Sequence, residues 1–127
     1  MKYLLDTHAF LWWLEGNGRL SDKALRAGED AQNSLYLSLA SIWELQLKID
    51  LGKLKINDNL PAVIDSQCAH GLQLLTIKPV HIYALNTLPV IHTDPFDRLL
   101  VAQALQENMV LITTDQKIAQ YSVKTLW

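Results

Sequence analysis

Apolar residues come along this chain in short runs that alternate with longer stretches of helical period. Lys2 to Leu5 reads as a brief buried strand, stopped at once by Asp6. His8 to Leu14 (HAFLWWL) reads as a helix, ended by Gly16-Asn17-Gly18. Ser21 stands where an N-cap belongs and opens a second helix carrying Ala24, Leu25 and Ala27. Leu35 to Leu37 is a strand. Leu39 to Ile49 (LASIWELQLKI) is a strong helix, with Gly52 near its end. Leu60 to Ala69 is another helix, closed by His70-Gly71, and Leu72 to Ile77 is a strand. Lys78 to Leu88 reads as a helix with Pro79 in its first turn. Pro95 to Glu107 reads as a helix that stops at Asn108, and Met109 to Thr113 as a strand. A short helix after Asp115 leads to a last strand at Val123 to Leu126. Strands separated by helices predict right-handed βαβ units and a parallel sheet covered on both faces.

Composition narrows the class. The chain has 127 residues, half of them hydrophobic, which suits one domain spanning residues 1–127 with a real core. Its apolar stretches are too short to span a bilayer. Asp6 interrupts the first apolar run, so no signal-peptide core precedes it. Cys68 is the only cysteine, which excludes an internal disulfide and a thiolate zinc site. These features lead us to expect a cytoplasmic protein with no membrane partner. The net charge of −2 does not announce nucleic-acid binding. Neutralising four site acids with a bound cation would leave the remainder at +2, so global charge argues only weakly against RNA.

Four carboxylates carry the candidate chemistry: Asp6, Glu44, Asp97 and Asp115. Asp6 and Asp115 each follow a predicted strand and precede a predicted helix. In a parallel sheet such points converge outside the carboxyl ends of the strands. Asp94-Pro95-Phe96-Asp97 has the form of a helix start, with Asp94 as cap, Pro95 in the first turn and Asp97 near the positive helix end. Taken singly, each of these acids is explained as well by capping as by catalysis. Glu44 is harder to explain so. It lies in a helix whose neighbours Ile42, Trp43, Leu45, Leu47 and Ile49 are apolar, although a surface pair with Lys48 at i,i+4 is the bland account. Converging acids repel one another unless a cation sits among them, and oxygen ligands select Mg²⁺ or Mn²⁺. That chemistry points to metal-dependent phosphodiester hydrolysis.

These segments resemble the PIN-domain ribonucleases, and within them the VapC toxins of type II toxin–antitoxin systems. LLDTHAFLWWL resembles the family's first strand, acid and helix. LSLASIWELQLKIDLGKLKI resembles the segment with the second acid, HTDPFDRLLVAQA the third block, and LITTD the last strand with its terminal acid. The resemblance runs nearly end to end. It implies a PIN-like three-layer α/β/α sandwich with a central, mainly parallel five-stranded sheet. It also implies Mg²⁺- or Mn²⁺-dependent cleavage of RNA, a homodimer, and a cognate antitoxin that silences the enzyme. Catalytic and metal-binding roles fall on Asp6, Glu44, Asp97 and Asp115. Thr7 and Thr113 sit beside strand-end acids and are placed to orient a carboxylate or water. Asp94 shapes the turn. Arg98, next to Asp97, is a candidate for substrate phosphate or for pairing with Asp94 or Asp97.

Other residues receive plainer readings. Lys48, Lys53 and Lys55 read as a solvated basic face or as phosphate contacts. Trp12 and Trp13 read as core or dimer interface, and Trp43 as core. The helix Phe10 to Leu14 is a candidate docking surface for the antitoxin. His8, His70, His81 and His92 show no metal spacing, and His92 is expected to make a local hydrogen bond. The runner-up function is a catalytically silent PIN-like module that binds RNA or protein. A haloacid-dehalogenase-type phosphatase needs an acid two places after Asp6, where His8 stands, and a receiver domain needs adjacent early acids that are missing.

Overall fold

The computed structural model describes residues 1–16 and 18–127. Asn17, in the predicted helix stop, lies outside the described residues. The strands are β1 (Lys2–Leu5), β2 (Ser34–Ser38), β3 (Gln73–Leu75), β4 (Val110–Ile112) and β5 (Thr125–Leu126). The helices are α1 (Thr7–Glu15), α2 (Asp22–Glu29), α3 (Leu39–Asp50), α4 (Leu60–Ala69), α5 (Pro79–Ala84) and α6 (Pro95–Glu107). The strands form one sheet in the order β3-β2-β1-β4-β5, and all its pairings are parallel. The expected five-stranded α/β architecture is therefore present.

Side-chain alternation along the strands builds a core on each face. Leu5, Leu35, Leu37 and Ile112 join Ala9 and Phe10 of α1, Ala24 of α2, and Leu60 and Ile64 of α4. On the other face, Leu4, Leu75 and Leu111 pack with Leu100, Val101 and Ala104 of α6. Neighbouring residues of one strand thus serve opposite layers. This is why strands buried on both sides read as continuous apolar runs.

The chain builds β1, β2 and β3 outward in one direction, then crosses to place β4 on the other side of β1. The β1–β4 boundary is therefore a switch point, where crossovers diverge and leave a crevice at the carboxyl ends. Asp6 N–H donates to Ile112 O at 3.1 Å, tying the two strand ends together there.

Helix ends follow local chemistry. Ser21, Ser38 and Asn59 cap α2, α3 and α4 through side-chain oxygens. Asn108 ends α6 with φ +55°, the left-handed conformation Asn tolerates. A buried polar group fastens α6 to the sheet: Gln103 is fully buried, accepts from Ser38 Oγ and donates to Thr76 O at 3.2 Å.

Several expectations are corrected. The predicted helix after Asp115 is a single 3-10 turn at Ile118–Gln120. The predicted strand Leu72 to Ile77 pairs only over Gln73–Leu75, and Val123 to Leu126 only over Thr125–Leu126. Both lie at sheet edges, where one neighbour supplies the whole ladder. The helix predicted to Leu88 ends at Ala84 and tightens into a 3-10 turn at Leu85–Thr87. Phe10 is fully buried rather than part of a docking surface. Trp43, expected in the core, is 58% exposed and packs edge-on against Phe96 with ring centroids 5.1 Å apart. The apolar composition of α3 hid this, because Trp43 lies on the helix's outer side.

Candidate active site

The four acids come from four different places. Asp6 leaves the end of β1, Asp115 follows β4, Glu44 lies in the second turn of α3, and Asp97 lies in the first turn of α6. Electrostatic coupling shows their proximity: Glu44 and Asp6 both raise the pKa of Asp97, and Asp115 raises that of Asp6.

Asp6 is buried. Its Oδ1 accepts from Ala9 N–H at 2.8 Å and caps α1, while Thr113 adds a side-chain hydrogen bond. Burial pushes its pKa up, and these hydrogen bonds only partly oppose that. The cap and the site share one carboxylate, so the two readings of Asp6 are compatible.

Glu44 is also buried, 8% exposed. Thr7 Oγ1 donates to its Oε1 at 2.6 Å and lies 3.0 Å from Ser41 Oγ. Its Oε2 pairs with Lys48 Nζ at 3.1 Å. The i,i+4 pair exists, but it is not a surface pair. It leads a half-buried lysine to the acid cleft.

Asp97 is strongly perturbed. Burial first, then the Asp94 charge, with Glu44 and Asp6 adding, push its pKa from 3.8 to about 7, against the opposing effect of His92. Asp94 stands behind it as the cap of α6, its Oδ1 accepting from Phe96 N–H at 2.8 Å and Asp97 N–H at 3.1 Å. Asp94 therefore shapes the turn, as expected.

Asp115 behaves oppositely. Burial raises its pKa, but hydrogen bonds from His92 and from the backbone of Ile118 and Lys117 outweigh that and leave it lowered. Oδ1 accepts from Lys117 N–H at 2.8 Å and Ile118 N–H at 3.2 Å, while Oδ2 faces His92. Thr113 Oγ1 accepts from Asp115 N–H at 3.0 Å, so this threonine touches both strand-end acids.

His92 is the site residue that the sequence reading set aside. Its Nε2 lies 3.0 Å from Asp115 Oδ2 and 3.1 Å from Asp97 Oδ2. The expected local hydrogen bond also exists, since Nδ1 accepts from Asp94 N–H at 3.1 Å. Its own backbone N–H donates to Tyr121 Oη at 2.8 Å. The available signal was its place two residues before the Asp94 cap. Metal-ligand spacing along the sequence carries no signal for a residue whose partners lie on other elements. Arg98, by contrast, turns away from the acids. Its guanidinium donates to Pro89 O, Leu85 O and Tyr121 Oη, pinning the loop before α6 rather than pairing with Asp94 or Asp97.

The donor set tests the fit of a metal. Asp6, Glu44 and Asp97 offer only oxygen, and two of these acids are pushed toward protonation by burial and crowding. Such a crowded set of oxygen donors matches a hard divalent cation. His92, Asp97 and Asp115 together also bring potential ligand atoms within 4.8 Å of one another. On a different face, Leu11 and Leu14 of α1, Val63 of α4, and Leu54 and Ile56 of the connection between α3 and α4 line a groove of about 430 Å³.

The PIN-domain family model matches residues 3–124. Among solved structures, the chain is similar to VapBC2 of Rickettsia felis bound to a promoter DNA fragment, with 18% identity and a TM-score of 0.73, covering 99% of this chain and 98% of that one. It is similar to DNA-bound VapBC of Salmonella typhimurium, with 14% identity and a TM-score of 0.74, covering 99% and 97%. It is also similar to VapBC-1 of nontypeable Haemophilus influenzae, with 21% identity and a TM-score of 0.66, covering 99% and 97%. None of the curated proteins matches the chain at a significant level.

Proposed function

Because the chain belongs to the PIN-domain family, we propose that it is a metal-dependent endoribonuclease, the growth-inhibiting toxin of a toxin–antitoxin pair. The observation that carries this reading is the convergence of Asp6, Glu44, Asp97 and Asp115 from four separate elements at the β1–β4 crevice. A cluster of four crowded acids is suited to a divalent cation and the phosphate it neutralises.

Asp6, Glu44 and Asp97 would hold Mg²⁺ or Mn²⁺. Asp115, with hydrogen bonds to both oxygens, would act through water. When bound, the cation would supply neutralisation of the phosphodiester charge, an acidified water and stabilisation of the leaving oxygen. The protein's part is to fix the acids. Thr7 orients Glu44, Ala9 N–H and Thr113 orient Asp6, and Asp94 sets the turn that presents Asp97. Hydrolysis would leave a 5′-phosphate and a 3′-hydroxyl. Lys48, Lys53 and Lys55 are candidates for backbone phosphate contacts, with Lys48 already at the cleft.

We assign the whole chain to one domain acting in the cytoplasm as a homodimer. Among the described residues, no helix is long and apolar enough to cross a membrane. The groove beside Leu11 and Leu14 fits an amphipathic segment of the cognate antitoxin.

The test is RNA cleavage by purified protein with Mg²⁺ or Mn²⁺, with excess EDTA, and with Asp97→Asn alongside. Loss to both EDTA and the substitution is expected. Cleavage that survives Asp97→Asn refutes the assignment. A silent wild type that also fails to bind Mn²⁺ favours the binding-module reading.

A further inference from the structure

His92 deepens this reading and rests on it. The ring's two nitrogens face different partners. Nδ1 lies 3.1 Å from the backbone N–H of Asp94, which can only donate, so Nδ1 must accept and carries no proton. The ring proton then sits on Nε2. That nitrogen donates to Asp115 Oδ2 at 3.0 Å and lies 3.1 Å from Asp97 Oδ2. A nitrogen that carries a proton has no lone pair in the ring plane for a metal.

We propose that His92 is a positioning residue. Held as its Nε2–H tautomer by the Asp94 backbone, it donates to Asp115, holds that acid beside Asp97, and is not itself a metal ligand. The two acids come from separate elements, the start of α6 and the segment after β4. The ring's hydrogen bond to Asp115 ties the loop before α6 to the segment after β4. The backbone of His92 is anchored too. His92 N–H donates to Tyr121 Oη at 2.8 Å, and Tyr121 also receives Arg98 Nη1 at 3.2 Å. Arg98 thus acts as a brace for the His92 loop. Donors of this kind, oriented behind metal-binding carboxylates, change metal affinity without touching the ion.

The two halves of the ring can be separated by substitution. Gln places an N–H donor near the position of Nε2. Asn places an acceptor near Nδ1 but does not reach the acids. Wild type, His92→Gln, His92→Asn and His92→Ala should be titrated with Mn²⁺, with free ion followed by electron paramagnetic resonance. Thermal unfolding of each variant would show that it is folded. His92→Gln is expected to stay within about threefold of wild type, while His92→Asn and His92→Ala lose roughly 10–100-fold. Cleavage rates should fall in the same order.

An Asn variant that binds as well as Gln would overturn the proposal, because His92 would then serve only its own turn. So would wild-type affinity in all variants. Pulsed resonance showing an imidazole nitrogen directly bound to Mn²⁺ in wild type, and absent from His92→Gln, would make His92 a ligand and refute it too. A wild type that binds no Mn²⁺ would remove the metal-nuclease reading, and this inference with it. Failure of the variants alone leaves that reading standing.

Discussion

Removing the charge of Asp97 should stabilise the metal-free protein. Its carboxyl is raised from 3.8 to about 7 in the fold, so folding favours the protonated form. The folded state then binds more protons than the unfolded one between those values, and stability falls as pH rises through that window. The stabilising contribution is complete below about 3.8 and lost above about 7. At 1.36 kcal/mol per pH unit, the gap between 3.8 and about 7 caps the effect of ionised Asp97 at about 4 kcal/mol. The side chain is 21% exposed, and its charge is also favourable at the N-terminus of α6, so both solvent screening and the helix dipole reduce the figure. About 2 kcal/mol remains as the expected gain for Asp97→Asn at pH 8. For a chain of this size that is roughly 6–10 °C in Tm. The assay is thermal and urea unfolding in EDTA at pH 8 and at pH 4. The gain should be large at the higher pH and nearly absent at the lower. Mn²⁺ at a hundred times its Kd should then raise wild type by about 2.7 kcal/mol and the variant far less, closing the gap. A variant no more stable than wild type at pH 8, or a gain that ignores pH, would refute the crowding argument.

Three further outcomes follow from the same geometry. Mn²⁺ affinity of wild type should fall about tenfold between pH 8 and pH 6, because the ion must displace the Asp97 proton, and a flat profile in a binding titration would count against the raised carboxyl. Glu44→Gln should weaken Mn²⁺ binding, and unchanged affinity would return Glu44 to a purely structural pair with Lys48 and Thr7. Asp94→Ala removes the acceptor for two backbone N–H groups and should cost about 0.5–2 kcal/mol by urea unfolding, with no loss implying that another group caps α6.

Local chemistry determined much of this protein. The alternation of short apolar runs with helical stretches sets a parallel sheet covered on both faces, because strands buried on both sides cannot show a polar stripe. Caps were legible at Ser21, Asp94 and Asn108, since a cap acts within a few residues of itself. The four acids were legible because Asp6 and Asp115 follow strands, Asp97 begins a helix, and Glu44 had little polar surface to occupy.

Tertiary structure decided whatever depends on partners distant in sequence. Thr7 reaches Glu44 across 37 residues, and His92 reaches Asp115 across 23. No local pattern encodes those meetings, so the contact of His92 with Asp115 and the hydrogen bonds of Arg98 to Pro89, Leu85 and Tyr121 were not legible in the sequence. The sides of a nearly uniform apolar helix are likewise indistinguishable until it docks, which is why Trp43 emerged exposed and Phe10 buried. The high pKa of Asp97 belongs to neither its neighbours in sequence nor its helix alone. It arises when folding removes water from a carboxylate already beside Asp94 and brings Glu44 and Asp6 near it.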